Sequence, residues 1–333
     1  MRRLRQFAAA TFVVACLHLV FGAIVRISGS GMGCGDHWPK CYGRWFPPFD
    51  RPDLVIEVSH RYLASILLLA LLATTVAAWR RRAEPGVGGR GGVLRPAALG
   101  VALGVAAALL GAVTVKVGNA PLATLGHWTI AMALVAATVA TLIRAGGLGG
   151  TSARLGGASH RTRRASFIGA AMALLTVVMG GLTAKYPGAA VACQGFPLCG
   201  RNGDVLPAAV HVQLGHRLLA FVVVLHLIGL AAAVFRRHEA SVVRRAAAVA
   251  ASLGVLQLGV AAAMVLGNLP PVLRSLHQAT GVAVWISAFT LAYLARIASG
   301  KSAASLLEAP SAHGAPRTPH RAAVTPLAGR LER

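Results

Sequence analysis

Four of the twelve histidines, His60, His127, His216 and His277, share a position that suits metal chemistry. Each falls in the first turns of a long apolar run. Together they occupy the second, fourth, sixth and eighth such runs. Runs that alternate in direction bring all four to one depth near one membrane face. An ionisable group inside a membrane is costly and by default marks function. A neutral imidazole is an uncharged metal ligand, and two of them facing each other across helices can fill both axial positions of a heme iron. Zinc or copper suits the pattern less well, because two histidines without a nearby cysteine or carboxylate set leave zinc short of ligands. The bland reading is four interhelical hydrogen bonds. It explains one histidine easily and four at matched depth poorly. His18 and His226 also lie within apolar runs and read as hydrogen-bonded packing residues. His226 stands ten residues beyond His216, roughly 15 Å deeper at helical rise.

Glu57 precedes His60 by three residues, so on a helix the two share a face. The matching position beside His216 is Gln213. Two readings of Glu57 stay open. A carboxyl in a low-dielectric site can accept or relay protons, and a carboxylate near a helix start is favoured by the dipole. Arg61 and Arg217 directly follow their histidines. They could reach heme propionates or snorkel to lipid headgroups.

Of five cysteines, Cys16 lies in an apolar run and reads as filler. The others form two local pairs, Cys34 with Cys41 and Cys193 with Cys199, in loops rich in Gly and Pro. His37 near the first pair raises the alternative of a metal site, but the spacing does not suit a zinc knuckle. Disulfides are expected, which need an oxidising compartment.

The elements that must position these residues follow from composition. The chain has 333 residues, is 56% hydrophobic and only 13% charged, and has a mean hydropathy of +0.66. Soluble domains carry nearly twice that charge fraction. The expected class is therefore an all-α integral membrane protein. Eight spans are placed near 7–25, 58–79, 96–115, 123–143, 167–184, 212–235, 246–266 and 276–297. MRRLRQ before the first span resembles a signal-peptide start, but the run is long for one and no small-residue cleavage site follows; a retained span is expected. The net charge of +24 comes largely from arginines in alternate loops and the tail. With no aromatic-rich basic domain, no nucleic-acid partner is expected. The arginine bias instead places both termini in the cytoplasm and the cysteine loops outside. Residues 300–333 lack periodicity and read as a disordered tail.

The two halves echo each other. Cys34 and Cys193, His60 and His216, and His127 and His277 are separated by 159, 156 and 150 residues. The expected architecture is two tandem, pseudo-symmetric four-helix bundles, residues 1–150 and 151–299, in the same orientation.

This order of features resembles the heme A synthase family. The shared features are eight spans in a tandem repeat, Glu-x-x-His-Arg at 57–61, His-Arg at 216–217, later histidines at 127 and 277, and cysteine pairs in both outer loops. The resemblance runs over residues 5–297, with no departure at these positions. It implies conversion of heme O to heme A, by two hydroxylations of the C8 methyl and loss of water to leave a formyl group. It implies heme b on His216 and His277, substrate heme on His60 and His127, and Glu57 as the essential carboxylate. The product would serve aa3-type terminal oxidases. Membrane lipid and a heme O synthase are the implied partners, and a homo-oligomer is left open. The competing readings are a non-catalytic membrane cytochrome b, which gives no reason for an acid in one half only, and a transporter, for which no broken helix argues.

Overall fold

The computed structural model describes residues 1–200 and 206–307, with side chains as far as Gly300. The described residues hold nine helices: α1 Arg2–Ile27, α2 Pro52–Arg80, α3 Leu94–Lys116, α4 Pro121–Arg144, the short α5 Gly150–Ala153, α6 His160–Lys185, α7 Pro207–Arg236, α8 Ser241–Leu266 and α9 Pro271–Leu307. Eight are long and apolar enough to cross a membrane. The protein is an all-α, multi-pass membrane protein, with no strand among the described residues.

Four of these helices, α2, α4, α7 and α9, begin at a proline. Proline suits the first helical position, where its missing N–H would have had no partner and its φ is already helical. These prolines start the helices before the apolar runs begin, so α2, α7 and α9 start five or six residues ahead of the expected spans at 58, 212 and 276. Helix α9 also continues to Leu307, into the segment expected as a tail; the remainder, 308–333, lies outside the described residues. The same four helices carry the four histidines. His60, His127, His216 and His277 stand eight, six, nine and six residues past their prolines. At helical rise that is a common depth of roughly 9–14 Å.

Helices α1 to α4 pack in sequence order and close with α1 against α4. Helices α6 to α9 do the same, with α6 against α9. The halves meet where α4 contacts α6 and α9, and where α1 contacts α9. Accordingly α4 and α9 are the most buried spans. Met132, Val135, Val139 and Ile143 of α4 and Ala288, Leu291, Ala295 and Ala298 of α9 recur every three or four residues and belong to one buried core. The Trp285 indole N–H donates to the Met132 carbonyl across the junction at 3.2 Å. Large apolar residues such as Leu17, Leu69, Leu109 and Leu225 stay exposed, as suits a lipid-facing surface.

At the end away from the cysteine loops, Glu239 is buried and gathers three donors. It accepts from the Ser159 hydroxyl at 2.6 Å, the Ser159 backbone N–H at 3.1 Å and the Thr162 hydroxyl at 2.5 Å. Arg237 completes the cluster as its ion-pair partner at 3.2 Å. Ser159 in turn caps α6 by accepting the Thr162 N–H.

Candidate functional site

All four histidines line one continuous cavity of about 1000 Å³ that extends through both halves. Its walls are mostly apolar, from Leu19, Leu68, Val177, Val224 and their neighbours. His18, His60 and His127 line it in the first half, and His216 and His277 in the second. Both members of each expected pair thus open on the same cavity.

Each imidazole has its own seat. Glycines provide three of them, because a β-carbon on Gly22, Gly180 or Gly111 would stand 3.1, 3.0 or 3.2 Å from Cε1 of His60, His216 or His127. His127 Nδ1 lies 2.9 Å from the Ala107 carbonyl. A carbonyl only accepts, so Nδ1 carries the proton and Nε2 keeps a free lone pair, the arrangement typical of a metal-binding imidazole. The Gln257 carboxamide brackets His277, meeting its Nδ1 and its backbone carbonyl, each at 3.0 Å. Thr280 donates to the other end of that amide. Nδ1 of His60 is buried with no hydrogen-bond partner, while the buried His216 imidazole faces the Thr176 backbone carbonyl.

The cysteine loops roof the cavity, and disulfides join Cys34 to Cys41 and Cys193 to Cys199 as expected. Both rings are tied to the helix beneath by the same device. The Glu57 carboxylate accepts the Cys34 backbone N–H at 2.8 Å and pairs with Arg61. The Gln213 amide oxygen accepts the Cys193 backbone N–H at 2.6 Å. Arg61 also donates to the Pro39 carbonyl at 3.0 Å. Arg217 donates to the carbonyls of Cys193, Gly195, Pro197 and Leu198 at 2.8–3.3 Å. The two arginines expected to meet propionates or headgroups thus hold the loop backbones. Glu57 is 4% exposed and still lines the cavity wall.

His18 departs from the packing role expected of it. Its ring lies flat on His60, with centroids 4.3 Å apart and planes 6° apart, and its buried Nε2 has no partner. The position corresponding to His18 in the second half is Thr176, since both it and the Gly22–Gly180 pair are offset by 158. Within the repeat, His18 is thus an extra ionisable group confined to the first half. His226 is the packing residue expected, bonded at 2.9 Å to the Ala165 carbonyl.

The fold and site define a class: a polytopic helical membrane protein with an internal repeat, whose two imidazole pairs open on one apolar cavity beneath disulfide-closed loops. The family model described as cytochrome oxidase assembly protein matches residues 5–55 and 49–289. Curated heme A synthases are similar over long stretches. That of Symbiobacterium thermophilum is 31% identical over 307 residues, 88% of this chain and 96% of that protein. That of Geobacillus thermodenitrificans is 32% identical, covering 67% of this chain and 69% of its own. The enzyme of Geobacillus kaustophilus is 30% identical over 72% and 74% of the two chains. This chain belongs to the heme A synthase family.

Proposed function

We propose that this protein is a heme A synthase, oxidising the C8 methyl of heme O to a formyl group by successive hydroxylations and loss of water. The observation that carries the reading is the pair of imidazole pairs on one apolar cavity, with an acid beside the pair in one half only. His60 and His127 in residues 1–150 hold the substrate. His216 and His277 in residues 151–299 hold heme b, which supplies electron transfer when bound. The residues present fit a porphyrin. Glycine seats hold the rings in place, His127 presents a free Nε2, and a buried nitrogen on His60 lacks a protein partner.

The chain's own contribution is orientation and charge. The apolar wall excludes water, and the disulfide loops close the outer end. Glu57 lies on that wall with Arg61 as its counter-charge, and favours positive charge developing at the substrate edge. The mouth of the site faces the extracytoplasmic side of the plasma membrane, with both termini in the cytoplasm. A heme O synthase is the partner that supplies substrate.

The test is heme extraction from cells lacking the gene. Heme O accumulating while heme A disappears, both reversed by the restored gene, is the expected result. Unchanged heme A would end the proposal. A non-catalytic cytochrome b would leave the heme composition as it was.

A further inference from the structure

Four cations line the cavity without a carboxylate partner among the described residues: Arg217, whose guanidinium is taken up by loop carbonyls, and three others, Arg26 at the end of α1, Lys185 at the end of α6 and Arg274 in the first turn of α9. Arg26 lies within charge–charge range of both Arg274 and Lys185. Its guanidinium reaches across the junction of the halves to donate to the Gln278 amide oxygen at 2.6 Å, next to His277. Among the described residues no acid pairs with any of the three. Asp36, Asp53, Glu57, Glu84 and Glu239 are each engaged by other cations, and Asp50 makes no ion pair. Arg26 and Lys185 stand where helix dipoles favour a cation. Arg274 stands at a helix N-terminus, where the dipole opposes it. Half-buried like charges gathered in a membrane protein call for an anion.

Their placement says which anion. Arg274 is one turn before His277, Lys185 is five residues past the Gly180 seat of His216, and Arg26 is four past the Gly22 seat of His60. At helical rise the charges form a layer roughly 5–8 Å outward of the imidazoles. A porphyrin held by His216 and His277 carries two carboxylates on arms leaving one edge of its ring. Arg61 and Arg217 already serve loop carbonyls. We propose that Arg26, Lys185 and Arg274 form the carboxylate site for the heme propionates of the second half, with Arg26 lent by the first. This rests on the heme reading above.

The experiment uses the full chain in phosphatidylcholine nanodiscs, stripped of heme. His60→Ala and His127→Ala leave one histidine pair. Hemin and its dimethyl ester, which lacks the two charges, are titrated by their absorption shift. The expected result is hemin binding roughly tenfold or more tighter than the ester, as charge-assisted bonds allow. That ratio should fall toward one when Arg26, Lys185 and Arg274 are changed together to Gln. Each single Gln variant should lower it in part, and Arg26→Lys should restore much of it. Ester affinity that matches the parent shows the variants are folded; if the triple variant loses both ligands, the single variants decide. A ratio of one in the parent, or a ratio unmoved by the variants, overturns the site. A parent ratio of one in phosphatidylcholine discs, together with preferential binding of phosphatidylglycerol that the triple variant abolishes, assigns the cluster to lipid headgroups and overturns it too. Failure of the parent to bind either porphyrin defeats the heme reading itself, a distinct outcome.

Discussion

The Glu57 carboxylate accepts the backbone N–H of Cys34 at 2.8 Å, and in doing so fastens the first disulfide loop to the helix that carries His60. Gln213 does the same for Cys193 without a charge. Anchoring therefore needs only an acceptor oxygen. The negative charge, with Arg61 as its partner, is an addition made in one half.

That comparison separates structure from chemistry at Glu57. Glu57→Gln keeps an acceptor for Cys34 and should fold and bind heme normally, while conversion of heme O falls by ~100-fold, the scale of losing one preorganised electrostatic group. Glu57→Ala leaves the buried N–H unpaired and should cost about 1–3 kcal/mol of stability as well. Heme extraction and thermal unfolding in detergent read the two effects. Full conversion by the Gln variant would refute the charge's role.

His18 rests flat on His60, and its repeat counterpart is Thr176. Groups that orient a ligating imidazole are worth about 10–100-fold in metal affinity. His18→Thr should therefore weaken porphyrin binding at the first histidine pair by roughly tenfold and leave the His216–His277 spectrum unchanged. Equal affinity at both pairs would reduce His18 to filler.

Gly22→Ala and Gly180→Ala place a β-carbon 3.1 and 3.0 Å from the imidazole each glycine seats. Real β-carbons rarely approach that closely, so the ring must move while the helix stays. The expected outcome is selective: Gly22→Ala lowers heme at the His60 pair, and Gly180→Ala lowers it at the His216 pair. Counting bound heme per chain in each variant checks this. Parallel losses at both pairs would mean that the glycines serve general helix packing.

Much of this arrangement was legible because membrane helices leave a coarse signature. Apolar length gave eight spans, and arginine bias separated the two sets of loops. Residues at common offsets gave the repeat and placed His60, His127, His216 and His277 on one cavity. Other features depend on rotations about helix axes, which hydropathy does not report. Arg61 and Arg217 line the cavity and also bind loop carbonyls, and His18 turns onto His60. The Glu239 cluster leaves little trace in the sequence, because besides Arg237 its partners, Ser159 and Thr162, are nearly eighty residues away and carry no charge pattern.

The two disulfides close rings of similar size, so loss of either should remove about 2 kcal/mol of chain-entropy stabilisation. Their consequences for the site should differ. With Cys193 and Cys199 changed to Ser, Arg217 still binds four carbonyls from Cys193 to Leu198, and Gln213 still holds the backbone N–H at residue 193. The second loop should keep its shape and the His216 pair its heme. With Cys34 and Cys41 changed to Ser, the Pro39 carbonyl and the residue 34 N–H are the contacts left to Arg61 and Glu57. The buried contacts that Cys34 and Cys41 make with Leu54 and Val58 are also lost. The first loop should loosen and porphyrin binding at the His60 pair should weaken. Thermal unfolding of the two double variants should show similar stability losses, while bound heme falls selectively at the His60 pair in the first. Equal heme loss in both would mean that the arginine clamp is no substitute for the covalent ring.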